Sequence, residues 1–183
     1  MRRRIPQHGI PSYNAGSVLL QMRKQLTIAI IALFFIVPAF AIGETKTETS
    51  LQKERTNLAK TNNPVERTKI NIKISDLLIT LMTDAARAGD DKLVEQHLAD
   101  YANTIQDAHL TMMKTGKDAH KHPQGFKELE ISLRKQQRTL SDAGKLMDYE
   151  QRETVDRVRK LASDISDQLV KVMLLKDPNA GKK

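Results

Sequence analysis

The chain of 183 residues contains no cysteine and no tryptophan. Without cysteine it has no disulfide bond, no thiol nucleophile and no thiolate metal site. It also lacks the cysteine that would carry the lipid of an exported lipoprotein. Aromatic residues make up only 4% of the chain, and no run of alternating β-branched residues predicts a strand. These absences favour an all-α fold that depends on its apolar core.

A long apolar run near the N-terminus carries no charge. It covers residues 26–37, follows the basic pair Arg23-Lys24, and precedes the small residues Ala39 and Ala41. A charged segment, a short apolar segment and an A-x-A site are the three parts of a secretory signal peptide. Residues 22–41 are therefore predicted to be a signal peptide that is cleaved after Ala41.

The alternative is that the same run is a retained membrane anchor. Residues 26–42 are at the lower end of the length of about 17–25 residues that spans a bilayer. Pro38 and the A-x-A site favour cleavage. Because the basic residues precede the run, either interpretation places the following chain outside the cytoplasm. The protein is expected to be periplasmic or secreted, or anchored with its domain outside.

Residues 1–21 show no hydrophobic periodicity, and they contain prolines, glycines and three successive arginines. Met22 followed by Arg23-Lys24 would start an ordinary signal peptide. We therefore expect residues 1–21 to be an extension upstream of the true start or a disordered segment, with a long basic n-region as the alternative.

The basic charge is concentrated in this targeting region. The whole chain has a net charge of +8, but five of its thirty Lys and Arg residues, and no acidic residue, precede Gly43. The remainder has 25 basic and 22 acidic residues, a net charge of +3. Its charges alternate in sign as on solvated helix faces. The high pI therefore does not indicate a nucleic-acid-binding protein.

The rest of the chain is predicted to be helical. Residues 42–62 form a polar linker in which residues 43–50 are a disordered leader, and Thr49 with Gln52 resembles a capping box for a short helix ending near Lys60. A helical domain follows at 63–177, and residues 178–183 form a disordered tail. In the domain, Asn63, Pro64 and Glu66 predict a helix start.

Apolar residues recur at intervals of three and four in four segments of this domain. Gly89 and Asp90 separate the first two segments, a loop over 117–125 precedes the third, and Gly144 ends or interrupts the third. An amphipathic helix cannot bury its apolar face alone. The pattern predicts an antiparallel bundle of about four amphipathic helices with coiled-coil-like packing, preceded by an N-terminal apolar helix. The alternative is that the last two helices fuse through Gly144.

Histidines are the first candidates for a site. His120 and His122 could share a metal ion with Asp118, although Lys121 lies between them and polar loops often carry solvated histidines. His97 and His109 lack the Glu-x-x-His motif of di-iron bundles, because Val94 and Gln106 stand three residues before them. We therefore predict no catalytic, cofactor or metal site.

Glu128 and Glu130 are two residues apart on one helix, so their side chains diverge and cannot act on one substrate. Glu128 is expected to be solvated and Glu130 to pair with Arg134 at i+4.

Gln136 lies on the apolar stripe between Leu133 and Leu140. The favoured interpretation is a boundary residue facing water, and the alternative is a buried polar residue that determines register or contacts a partner. Arg134, Lys135 and Arg138, with Lys127, form a basic patch that would suit anionic lipid headgroups or another exported protein.

The sequence thus predicts an exported, non-enzymatic α-helical protein that binds or scaffolds an unknown envelope partner, with self-association as a further expectation. One alternative is a single-pass protein anchored through residues 26–42. The other is a helical metal-binding protein or enzyme that uses the loop of His120 and His122.

Overall fold

Helices account for 83% of residues 45–174, the part of the chain that the computed structural model describes, and no strand occurs there. The fold of this part is therefore all-α, as predicted. The predicted N-terminal extension, signal peptide or anchor, and C-terminal tail lie outside the described residues. The five helices are α1 (Lys46–Lys60), α2 (Pro64–Ala88), α3 (Asp91–Met113), α4 (Phe126–Gly144) and α5 (Tyr149–Leu174).

The start and end of α2 agree with the sequence-based prediction. Asn63 is the N-cap, and its Oδ1 accepts hydrogen bonds from the backbone N–H of Val65 (2.9 Å) and Glu66 (3.3 Å). Gly89 ends the helix in the left-handed conformation, with φ of 70°. Asp90 then caps α3 by accepting from the N–H of Leu93 at 3.1 Å. Side chains thus satisfy N–H groups that helix starts leave unpaired.

The predicted start of α1 at Thr49 is wrong. The N-cap is Thr45, whose Oγ1 accepts from the N–H of Glu48, while the Glu48 carboxylate accepts from the N–H of Thr45 at 2.7 Å. A carboxylate at this position accepts the bond with a full charge near the positive end of the helix dipole, which the neutral Gln52 cannot do. Thr49 instead donates to the carbonyl of Thr45 within the helix. Residues 46–50 are therefore helical and not a disordered leader.

The structure also gives the end of α3 and the boundary between α4 and α5. Helix α4 ends at Gly144 and α5 begins at Tyr149, so the alternative of one fused helix is wrong. Helix α3 ends at Met113, and the loop that follows contains Gly116 and Gly125, both with positive φ. The loop brings Gly125, at the start of α4, next to the side chain of Met112, at the end of α3.

The apolar stripes of all five helices meet in one core of the described region. Helix α2 packs most extensively on α3 and α4 on α5, while α3 also contacts α5, α2 contacts α4, and α1 contacts α2. Asn71 near the start of α2 donates to Asp107 near the end of α3 (2.8 Å), so these two helices run in opposite directions. Each fully buried Leu or Ile side chain contributes about 1.5–3 kcal/mol to folding.

The most deeply buried apolar side chains of the described region are Leu78, Met82, Val94, Leu98, Tyr101, Ile105, Ala108, Met112, Leu129, Leu133, Leu140, Val155, Ala162 and Leu169. No helix between residues 45 and 174 combines the length and the apolar character that crossing a bilayer requires.

Candidate functional site

The loop that carries His120 and His122 does not bring the two imidazoles to a shared ligand. Both histidines are exposed, and Nδ1 of His120 lies 3.2 Å from the carbonyl oxygen of Met173. Asp118 accepts from the backbone N–H of His120 at 3.0 Å and lies 3.8 Å from Nζ of Lys121. Within residues 45–174, no three side chains of the types that bind metals lie close enough to hold an ion.

His97 and His109 lie half-buried on α3. Nδ1 of His97 and Nε2 of His109 are buried, and neither has a hydrogen-bond partner in the described part of the chain. Burial lowers the pKa of both imidazoles below the ordinary value of 6.5, although Asp100 and Glu48 partly oppose the shift at His97. Each ring therefore favours the neutral form.

Glu128 and Glu130 do diverge. The carboxylate of Glu128 accepts from the N–H of Gly125 at 2.5 Å, so this residue is half-buried at the start of α4 and not fully solvated. Glu130 points into the protein, where it accepts from Nε of Arg134 (2.5 Å) and the hydroxyl of Ser166 (3.3 Å). The predicted pair of Glu130 and Arg134 is confirmed, but its carboxylate is buried and its guanidinium is exposed.

Gln136 is buried, so the interpretation that it faces water is wrong. Its Oε1 accepts from the hydroxyl of Tyr101 at 3.0 Å. Its Nε2 donates to Ser75 Oγ (2.7 Å) and to Asp76 Oδ1 (2.8 Å), so α2, α3 and α4 meet at one amide. Because each polar atom has a partner, burial does not carry the penalty of an unpaired amide. Burial, followed by the charge of Asp76, raises the pKa of Tyr101 and keeps the phenol protonated as a donor.

A groove with arginines on both sides runs between α4 and α5. Its larger part has a volume of about 540 Å³, and its smaller part, of about 180 Å³, adjoins it because both are lined by Ser141 and Arg159. We call the two parts together the arginine groove. Its lining residues are Arg134, Gln137, Arg138, Ser141, Asp142, Gly144 and Lys145, with Arg152, Val155, Asp156 and Arg159.

The arginine groove carries an excess of positive charge. Five cationic side chains and two carboxylates line it, a net charge of +3, and the buried Glu130 behind Arg134 reduces this to +2. The whole segment that begins at Gly43 has a net charge of only +3. A cleft with one sign of charge concentrates the potential at its mouth and raises the local concentration of counter-ions.

Several donors in the arginine groove are not used within the described region. Gln137, Arg138 and Ser141 make no side-chain hydrogen bond to any residue between 45 and 174. The Arg159 guanidinium donates from Nη1 to Asp156 at 2.8 Å, and its buried Nε has no acceptor there. Asp142 is paired with Lys145 at 2.7 Å, a bond that lowers the pKa of Asp142. The groove therefore presents donors and few free acceptors.

The predicted basic patch is only partly brought together. Arg134 and Arg138 line the arginine groove, whereas Lys127 and Lys135 are exposed and do not. Arg152 and Arg159 were not predicted to join the patch, because they belong to the next helix. Their spacing of seven residues, which places both on one face of α5, was the available signal.

No protein family model matches the sequence, and no characterised protein or solved structure shows significant similarity to it. The functional assignment therefore rests on the chemistry of the described residues. Among them, the arginine groove combines shape, charge and unused hydrogen-bond donors in one place.

Proposed function

We propose that this chain is an exported, non-enzymatic helical bundle protein that binds an acidic partner through the arginine groove. The proposal for export rests on the signal-like segment at 22–41. The proposal of a bundle rests on the packing of α2 on α3 and of α4 on α5, with α3 against α5 and α2 against α4. The acidic partner is proposed because guanidinium groups from α4 and α5 line a single groove.

The observation that carries the proposal is the state of Arg138 and Arg159. Arg138 has no carboxylate partner between residues 45 and 174, and Arg159 uses one of its nitrogens for Asp156. A guanidinium is a planar group with five donors that can bind an oxyanion through two parallel hydrogen bonds. Because both groups lie on packed helices, the backbone that carries them needs little ordering when a ligand binds, and the entropic cost of association is limited to the side chains.

Binding is favoured over catalysis by the composition of the groove. A covalent mechanism needs a nucleophile within hydrogen-bond reach of a base. The lining residues include one hydroxyl, that of Ser141, but no imidazole, and the two carboxylates are both paired with cations. The set of residues suits recognition of negative charge.

Export is tested by fractionating cells that make the full chain and by measuring the mass of its N-terminal peptide. Cleavage after Ala41 gives a soluble exported protein that begins at Ile42. An intact N-terminus in the membrane fraction identifies the anchored alternative. A chain that stays in the cytoplasm contradicts the proposal.

Binding is tested in the exporting cell with a photo-crosslinking amino acid in place of Gln137, which lines the groove, or of Gln106 on the exposed face of α3. We expect an adduct from position 137 that is lost in R138E and R159E variants, and none from position 106. Equal adducts from both positions, or no adduct from position 137, would contradict a partner in the groove.

A further inference from the structure

We infer that the ligand group recognised by the arginine groove is a phosphate monoester, bound between Arg138 and Arg159 with the hydroxyl of Ser141 as a neutral donor. The inference rests on the proposed function, since it names the chemistry of the acidic partner. Phosphate monoesters occur on soluble molecules and on phosphatidic acid in membranes. The recognising chemistry is the same for both sources.

The placement of the donors is the first argument. Arg159 of α5 and Ser141 of α4 line both parts of the groove, and Arg138 lies one helical turn before Ser141 on the same face of α4. A ligand where the two parts adjoin would therefore meet guanidinium groups from two helices and the hydroxyl of Ser141. A tetrahedral phosphate has three terminal oxygens that accept bonds from several directions, whereas a carboxylate has two oxygens in one plane.

The charge balance is the second argument. The lining residues and Glu130 together leave a net charge of +2. A phosphate monoester carries about −1.5 to −2 at pH 7, so it neutralises this charge more completely than a monoanionic diester or carboxylate. Arg134 contributes less than Arg138, because Glu130 already balances its charge and holds its Nε. We assign Arg134 to the wall of the groove and Arg138 to the ligand.

The test uses the full chain and isothermal titration with glycerol 3-phosphate as the monoester, glycerophosphocholine as the diester and a short glutamate peptide as the carboxylate probe. We expect the monoester to bind most tightly. R138Q and R159Q should each weaken its binding by about tenfold or more, because each removes a charge-assisted hydrogen bond. Lys135→Gln, an exposed lysine on α4 outside the groove, is the matched control and should change little.

Two further variants separate a defined site from a diffuse basic surface. R138K keeps the charge but loses the planar fork, so it should still weaken binding of the monoester. Ser141→Ala should weaken it less, with no change of net charge. Affinity should also fall as the pH drops below about 6, where the monoester dianion takes up a proton and becomes a monoanion. Circular dichroism of each variant checks that the helices remain.

Vesicles of phosphatidylcholine with and without phosphatidic acid distinguish the sources. Binding only to vesicles with phosphatidic acid, lost in R138Q, supports a lipid monoester, and binding of glycerol 3-phosphate alone supports a soluble one.

Equal affinity for monoester and diester, or an equal loss in the Lys135→Gln control, overturns the inference. Binding of the glutamate peptide without the monoester overturns it while leaving the proposed function intact, and binding of no probe overturns the groove as an anion site.

Discussion

Tyr101 on α3 donates its hydroxyl hydrogen to Oε1 of Gln136 on α4 at 3.0 Å, and both side chains are almost fully buried. The residues are 35 positions apart, and the same amide also reaches α2 through Ser75. An apolar residue at position 136 would tolerate small shifts of α4 along the core. The Gln136 amide reaches all its hydrogen-bond partners only when α4 lies at one position along its axis, so it favours a single register of the three helices.

Replacing Gln136 by Leu is expected to reduce the free energy of unfolding by about 2 kcal/mol or more, because the buried hydroxyl of Tyr101 loses its acceptor. The hydroxyl of Ser75 loses the bond from Gln136 and keeps only the one that it donates to the carbonyl of Ile72. Urea denaturation measures the loss. Gln106→Leu on the exposed face of α3 is the control and should stay within about 0.5 kcal/mol of the parent. If the two variants have equal stability, the buried amide contributes nothing to folding.

The pair of Glu130 and Arg134 predicts an asymmetric response to mutation. Arg134→Ala leaves a buried carboxylate without its cation and is expected to cost about 2–4 kcal/mol of unfolding free energy. The double variant E130Q/R134A removes that charge and should recover most of the loss, as thermal or urea unfolding can show. If the loss in the double variant equals the sum of the losses in R134A and E130Q alone, the ion pair is not the source of the effect.

Gly125 at the start of α4 predicts a contrast with Gly89. Gly125 has φ of 84°, and a Cβ there would lie 2.6 Å from the side chain of the buried Met112. Gly89 has φ of 70° with nothing within 4 Å of its Cβ position. Ala at position 89 should therefore cost only the conformational strain, about 1–2 kcal/mol. Ala at position 125 should cost about 1–3 kcal/mol more because of the overpacking. Equal losses in urea denaturation would mean that Met112 moves aside freely.

The half-buried imidazoles of His97 and His109 predict that stability falls in mild acid. Their pKa values are lowered in the folded protein, so the unfolded chain binds more protons as the pH drops below 6.5. Above pH 6.5 the two neutral rings make their full contribution to stability. The free energy of unfolding should therefore decrease as the pH falls from 6.5 towards the pKa values of the folded imidazoles. Gln at both positions should flatten the dependence between pH 7 and the pKa of the folded imidazoles, and an unchanged slope would assign the loss to other groups.

The helical class and the start of α2 could be predicted because they depend on neighbours in sequence. Asn63, Pro64 and Gly89 act within one turn of the helix they bound, so their effect is local. Thr45 was missed for a different reason, since two capping-box sequences follow one another at 45–48 and 49–52, and they differ in having the Glu48 carboxylate or the neutral amide of Gln52 at the third helical position.

Gln136 and the arginine groove could not be predicted in the same way. Whether Gln136 is buried depends on Tyr101 and Ser75, which are brought to it by helices more than thirty residues away. Arg138 and Arg159 are likewise brought to one groove by the packing of α4 on α5. A polar residue on an apolar stripe indicates only that a partner is needed, and it does not say where the partner lies.

The attachment of α1 differs from that of the other helices. Leu51 is its only buried residue and is still 8% exposed, whereas α2 has nine buried residues. Leu58 is partly buried against the core. The other contacts are polar: Arg55 pairs with Asp100 at 2.8 Å, and Arg67 of α2 donates to the carbonyls of Leu58 and Thr61. Detaching α1 therefore exposes little apolar surface.

Helix α1 should thus open by itself, ahead of global unfolding. In hydrogen exchange, its amides are expected to exchange through openings that depend only weakly on denaturant, while those of α2 and α3 exchange only when the whole domain unfolds. The helix closest in sequence to the predicted export segment is then also the one that can leave and rejoin the domain while the rest of it stays folded.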